Sequence, residues 1–147
     1  TMPVLLVTHP RTTIRDKFLS LLSGQTHAGT RIYDSRTQPV STLPALRIFT
    51  RDDEFIEWRS LGHAAHRKVE VSIECLVSDN DESDAADACD VLCRQVEVRL
   101  NDFPDIDGTA LARTYNSTNI EFNNDTDPPV VMGSVVFDVE YLDDFSS

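Results

Sequence analysis

Two histidines, His63 and His66, stand three positions apart, a spacing at which both rings can reach one transition metal. A nearby carboxylate would complete such a site. The sequence offers no third ligand at a diagnostic spacing, and the glycine and alanines around the pair are typical of an exposed loop or helix end. We therefore assign no metal, no cofactor and no catalytic residue, and we keep a small metal-dependent enzyme using these histidines as an alternative.

A second group of candidate ligands lies in an acidic stretch. Asp79, Asp81, Ser83 and Asp90 stand at positions 1, 3, 5 and 12 of a calcium-binding loop. Position 6 is Asp84 instead of the glycine that the sharp turn requires, and position 12 lacks the long glutamate. The pattern therefore does not predict an EF-hand.

The three cysteines each fall within an apolar periodicity, which favours buried, reduced thiols over a disulfide framework or a metal site. They are Cys75, Cys89 and Cys93. The sequence contains no nucleophile elbow, phosphate-binding glycine loop, HExxH helix or CxxC pair. These observations predict a protein that is not an enzyme.

The charge of the chain limits its partners. Among 147 residues, 25 acidic side chains oppose 13 basic ones, for a net charge of −12, which argues against a surface that grips nucleic-acid phosphates. The charge is also segregated: residues 1–68 carry ten basic and six acidic side chains, and residues 69–147 carry three and nineteen. Such polarity suits head-to-tail contact between copies, although a solvated acidic face is the simpler explanation of this feature taken alone. No apolar run approaches the roughly 20 residues that cross a bilayer, so we expect no membrane partner.

The elements that must position these residues follow from periodicity. Pro10 opens a helix whose apolar residues recur at helical spacing, and Gly24 ends it. Residues 30–36 and 45–51 are expected to form two strands of a hairpin. Residues 52–66 mix aromatic and charged side chains, which suggests an irregular or briefly helical excursion.

The second half begins with the clearest strand, residues 69–77, in which apolar and polar residues alternate and one face is polar. A helix follows, with Asp84 as its expected N-cap and an apolar stripe that ends at Leu100. Residues 112–123 and 130–142 are the last strands, and the acidic tail after them is expected to fray. The sequence thus predicts a single α+β domain, residues 2–147, with a mainly antiparallel or mixed sheet of four to five strands and two helices packed on one face.

The order and the amino-acid sequences of these segments resemble one family. The matching segments are the helix at 14–24, the strands at 31–33, 44–49 and 67–75, the helix at 90–97 and the closing strand at 136–141. Together they resemble the tail terminator proteins of long-tailed bacteriophages, the family of minor tail protein U of lambda-like phages. The resemblance covers nearly the whole chain but contains no diagnostic motif.

This resemblance implies a structural virion protein. Members of the family form a ring, expected to be hexameric, at the head-proximal end of the tail tube, where they stop tube polymerisation and offer the surface that joins the head. The implied partners are other copies of the chain, the major tail tube protein, a head–tail connector protein, and genomic DNA that passes through the pore without specific binding. The implied location is the virion, after assembly in the bacterial cytoplasm. Another head–tail connector or tail-completion protein is the alternative within this class.

The excursion is the best candidate for a contact surface, because aromatic residues flanked by charges are enriched at interface hot spots, although the same side chains could simply cover the sheet edge. Arginines of the basic half are expected to meet carboxylates that follow the strong strand of a neighbouring copy. The residues expected at a subunit or tube interface are Arg47, Arg51, Asp52, Phe55, Ile56, Trp58, Arg59, Arg67, Asp79, Asp81, Glu82 and Asp84.

Overall fold

The computed structural model describes residues 9–34, 42–59, 64–78, 82–101, 112–123 and 130–145. The described elements are α1 (Pro10–Leu22), β1 (Ile32–Tyr33), β2 (Ala45–Arg59), β3 (Ala64–Ser78), α2 (Glu82–Asn101), β4 (Ala112–Asn123) and β5 (Val130–Asp143). The strands form one sheet in the order β1-β2-β3-β5-β4. β1 pairs with β2 in parallel and every other pair is antiparallel. The α+β class and the mixed five-stranded sheet are therefore confirmed.

Both helices lie on the same face of the sheet. Phe18 of α1 meets Phe137 of β5 edge-on, and the thiols of α2 lie against Gly133 of the same strand. Phe137 and Gly133 are four residues apart in β5, and residues an even number of positions apart in a strand lie on the same side of the sheet. We call this side the helix-covered face and the other side the open face. The expected packing of two helices on one face is confirmed.

Local signals fix α1. His9 is the N-cap, and its Nδ1 accepts a hydrogen bond of 3.1 Å from the backbone N–H of Arg11, while Pro10 occupies the first turn as expected. The helix ends at Leu22, and Gly24 follows with φ +74°, a left-handed conformation that glycine adopts without strain. Arg99 of α2 donates from Nε to the carbonyl oxygen of Leu21 at 2.7 Å, which ties the two helices together.

Two strand predictions were wrong. The first and second predicted strands do not form a hairpin, because β1 and β2 run parallel and pair only at two positions, Ile32 with Leu46 and Tyr33 with Arg47. The described residues of the expected excursion at 52–66 are instead strand, because β2 continues to Arg59 and β3 begins at Ala64, while residues 60–63 lie outside the described residues. Two register shifts, at Thr50/Asp53 and Phe55/Glu57, break the twofold alternation that reveals a strand in sequence.

Two smaller expectations also need correction. Asp84 is not the N-cap of α2, because the helix already begins at Glu82. The chain after Leu142 does not fray at once, because Asp143 belongs to β5 and is itself buried.

The core lies between the helices and the helix-covered face. Its members include Phe18 of α1, Leu92 and Val96 of α2, and Val71 and Val135 of the central strands. The long central strands β3 and β5 pair over their full lengths, from Ala65 with Asp143 to Ser78 with Val130. The second half of β2 extends beyond this core and is largely exposed.

Candidate interaction surface

An exposed group of aromatic side chains lies near the far end of the β2–β3 hairpin. Phe55 stands opposite Arg67 and Trp58 stands opposite Ala65, and both residues are on the helix-covered side. Their ring centroids are 5.2 Å apart, and the Phe145 ring lies 6.1 Å from Trp58. The exposed fractions of Phe55, Trp58 and Phe145 are 54%, 55% and 64%. We call these three residues the aromatic cluster.

Phe145 was missed by the sequence analysis, which treated the acidic tail as frayed. Its backbone N–H donates to Oδ1 of Asp143 at 2.8 Å, and its φ of +60° turns the chain back toward Trp58. The only signal in the sequence is a single aromatic residue within that acidic tail. The contact itself depends on the pairing of β5 with β3, which sequence periodicity does not specify.

A network of polar side chains connects the strands that carry the aromatic cluster. Asp53 accepts hydrogen bonds from Nη1 of Arg11 at 2.6 Å, from Nε of Arg67 at 3.1 Å, and from the hydroxyl of Tyr141. Arg67 also donates from Nη1 to Oδ2 of Asp143 at 2.9 Å, and its guanidinium lies 5.5 Å from the centre of the Tyr141 ring. The network thereby joins the start of α1, the hairpin and the end of β5.

The network sets the charge states of its members. Burial alone raises the pKa of Asp53, but hydrogen bonds from Tyr141 and Arg11 and the charge of Arg67 outweigh it, so the pKa lies below its usual value. Burial and the hydrogen bond to Asp53 raise the pKa of Tyr141. Burial and the nearby charges of Arg11 and Arg67 lower the pKa of His9. At neutral pH the centre is therefore an ionised carboxylate held by two guanidinium groups and a neutral phenol.

Three of the four arginines predicted at the interface have carboxylate partners within the chain. Arg47 pairs with Glu74 across β2 and β3 at 2.7 Å, and that carboxylate is only 2% exposed. Arg67 belongs to the network around Asp53. Arg59 lies 3.4 Å from Glu57. Much of the charge of the basic half is thus offset inside one molecule.

The remaining predicted interface residues are distributed along the hairpin and the acidic stretch. Arg51, Asp52 and Ile56 are exposed on the second half of β2, next to the aromatic cluster in sequence. Asp79 and Asp81 lie outside the described residues, and Glu82 is placed only as the first residue of α2. Asp84 is exposed in the first turn of that helix. The predicted hairpin residues are divided between the two faces of the sheet: Phe55 and Trp58 lie on the helix-covered side, whereas Arg47 and Arg59 lie on the open face, opposite Glu74 and Ala64. The pairing with the acidic stretch of a neighbour stays a prediction.

His66 has protein partners at both ring nitrogens. Its Nε2 lies 2.9 Å from Oε1 of Glu140, and its Nδ1 lies 3.3 Å from Nη2 of Arg59. The other histidine of the pair, His63, lies outside the described residues. Within the described part of the chain, no three His, Cys, Asp or Glu side chains are placed to hold one metal ion.

The three cysteines are free and buried, as the sequence predicted. The Cys89 thiol hydrogen-bonds to the Cys93 thiol and is buried, and both effects raise its pKa. The thiol of Cys93 likewise has a raised pKa, chiefly through its hydrogen bond with Cys75. The Cys89 and Cys93 thiols pack against Gly133, where a side chain would have no room. Both are core groups that their raised pKa values keep neutral.

Neither described helix combines the length and the apolar character needed to span a lipid bilayer. No protein-family model matches the chain, and a search of curated proteins finds no relative.

Proposed function

We propose that the chain is a tail terminator of a long-tailed bacteriophage, a structural, non-enzymatic protein that forms a ring on the head-proximal end of the tail tube. The ring, with six copies by the resemblance, stops tube growth and offers a surface to the head–tail connector. The succession of segments supports this assignment, and the α+β fold is compatible with it. The observation that carries it is the aromatic cluster of Phe55, Trp58 and Phe145.

The aromatic cluster is large enough to matter in association. Aromatic side chains bury about 150–250 Å² each, so three half-exposed rings present on the order of 300 Å² of apolar surface. The largest apolar patch on an ordinary monomer is about 300–600 Å² and is often functional. Burying this surface would contribute roughly 7 kcal/mol at 25 cal/mol per Å². Association costs about 4–15 kcal/mol, so the cluster can anchor a contact but needs further contacts around it.

The framework beneath the cluster suits a contact surface. Asp53 and Arg67 hold the hairpin against α1 and the end of β5, so the aromatic rings do not have to be ordered on binding. Binding surfaces that are already ordered lose less conformational entropy when the complex forms. The cluster therefore lies on strands that hydrogen bonds connect to α1 and to the end of β5.

The net charge supports a passive role toward DNA. Six copies would carry about −72 formal charges, and acidic groups facing a pore would repel the phosphate backbone and let the genome slide through. The same charge opposes closure of the ring. At 0.15 M ionic strength the screening length is about 8 Å, so we expect ring formation to strengthen with salt or with magnesium.

The test measures both the oligomeric state of the chain and its effect on the length of tail tubes. Light scattering across salt, magnesium and protein concentration should reveal a species near six times 16.5 kDa. Tail tube protein polymerised with the chain should give tubes of limited length with annular caps in electron micrographs. Trp58→Ser should weaken both effects, whereas Val98→Ser, which truncates a comparably exposed residue of α2, should not.

Other outcomes contradict the proposal. Tubes of unchanged length, with no chain at their ends, would exclude a terminator. Binding to head connectors without any effect on tube length would instead indicate another head–tail connector. Stoichiometric metal retained by a monomer or dimer would favour the small enzyme.

A further inference from the structure

The sheet has two outer strands whose free edges are long in the part of the chain that the structure describes. β4 is the last strand on one side and has 12 residues. On the other side, β1 pairs with Leu46 and Arg47 at the start of β2, and from Thr50 to Arg59 no strand lies beyond β2 among the described residues. Free edges present backbone N–H and C=O groups that can pair with another strand. The two edges are similar in length.

The directions of the strands also match. Each step from β2 to β3, from β3 to β5 and from β5 to β4 is antiparallel, so β4 runs opposite to β2. When two copies stand side by side with the same face of the sheet on the same side, β4 of one copy meets β2 of the next in antiparallel orientation. Antiparallel pairing is slightly more stable per residue than parallel pairing.

The exposed apolar side chains of both edges lie on the same face. On β4, Tyr115 and Phe122 stand opposite Phe137 and Val131 of β5, which places them on the helix-covered side. Both are about half exposed. Phe55 and Trp58 of β2 are on the same side at the other edge of the sheet. Antiparallel pairing over the full length of both edges would bring Phe55 close to Tyr115, whereas Phe122 would lie near the start of the free part of β2. Aromatic cross-strand pairs stabilise sheets.

We propose that copies of this chain join by pairing the free edge of β2 in one copy with β4 of the next, so that a continuous antiparallel sheet runs around the ring. The strand that pairs with each free edge therefore belongs to a second copy of the chain. Since every copy uses two different edges, the contact is head-to-tail, and it closes into a ring when the rotation allows. The inference rests on the proposed ring and names the surface that holds it together.

The irregularities of the two strands make this pairing selective. β2 has register shifts at Thr50/Asp53 and Phe55/Glu57, and β4 has one at Tyr115/Ser117. Bulges and charged residues on edge strands suppress pairing with arbitrary strands. A strand that pairs with β2 or β4 must accommodate the shifts of that strand, which restricts the partners that either edge can accept.

The test uses two edge-blocked variants and a control. The first carries Phe55→Lys and Trp58→Lys on β2, and the second carries Tyr115→Lys and Phe122→Lys on β4. The control carries Val91→Lys and Val98→Lys on α2, where both valines are about as exposed as the edge residues. Circular dichroism and thermal unfolding confirm that each variant folds. Light scattering is then measured under the conditions in which the wild type assembles.

We expect each edge-blocked variant to remain monomeric and the control to assemble. A one-to-one mixture of the two blocked variants retains one intact β2 edge and one intact β4 edge, so it should stop at a dimer of about twice the monomer mass. This dimer distinguishes head-to-tail pairing from a symmetric contact, in which the mixture would behave like its components.

The remaining outcomes separate the pairing from the proposed function, because tube length is measured on the same samples. Blocked variants that assemble and limit tube length like the wild type would overturn the pairing and leave the terminator proposal standing. Assembly through the two edges without any effect on tubes would overturn the terminator proposal alone. A wild type that neither assembles nor limits tube length would overturn both.

Discussion

Gly133 of β5 is the position where one added methyl group should be most costly. A Cβ atom placed there would lie 2.3 Å from Sγ of Cys93, 3.2 Å from Sγ of Cys89 and 3.1 Å from Cδ1 of Ile120. Favourable non-bonded contacts between heavy atoms lie at about 3.5–4.0 Å. The Cys93 thiol would therefore have to move by more than 1 Å. Its neighbours in the core leave little space for that movement.

We expect Gly133→Ala to lower the free energy of unfolding by about 1–3 kcal/mol, the usual cost of overpacking a core. For a domain of this size, each kcal/mol lowers Tm by about 2–4 °C. Cys93→Ala alone should cost about 1 kcal/mol, as deletion of one buried heavy atom does. The double variant should be more stable than the sum of the two losses predicts, because the new methyl group fills the space that the sulfur vacates.

Urea unfolding measures these values through the transition midpoint at an unchanged slope. Ser134→Ala, one residue along on the open face, is the matched control and should lie within about 0.5 kcal/mol of the wild type. A Gly133→Ala protein as stable as the wild type would refute the packing argument. Strict additivity in the double variant would show that the clash is not with Cys93.

Three further expectations concern charge and reactivity. The pKa of Asp53 is lower in the folded than in the unfolded protein, so its ionisation stabilises the fold at pH values above the unfolded pKa. This stabilisation disappears as the pH falls through the folded pKa. Urea midpoints should therefore fall more steeply in acid for the wild type than for Asp53→Asn. Arg47→Met should cost about 3 kcal/mol because it removes the close cation from the buried carboxylate of Glu74, and Arg47→Met combined with Glu74→Met should recover part of that loss in thermal unfolding. The three thiols, buried and with two of their pKa values raised, should react with a maleimide only after denaturant is added, and mass spectrometry of the native protein would expose any early labelling.

The sequence by itself determined the parts of the fold that depend on local periodicity. The apolar spacing of α1, the stripe of α2 and the alternation in β3 are properties of neighbouring residues, and all three elements formed, although β3 and α2 begin earlier than predicted, at Ala64 and Glu82. The α+β class follows from their order. The aromatic residues of β2 were also recognised as candidate contacts, because an exposed tryptophan among charges is unusual on an ordinary surface.

Only the tertiary structure decided how those elements form a surface. Register shifts in β2 conceal a strand from any test of alternation, so the hairpin arm became visible only through its pairing with β3. Phe145 joins Trp58 because β3 and β5 pair over their full lengths. Arg47 and Arg67 find carboxylates in other strands of the same chain. These contacts join residues distant in sequence, and the long-range pairing of strands, which sets them, leaves no periodic trace in the sequence.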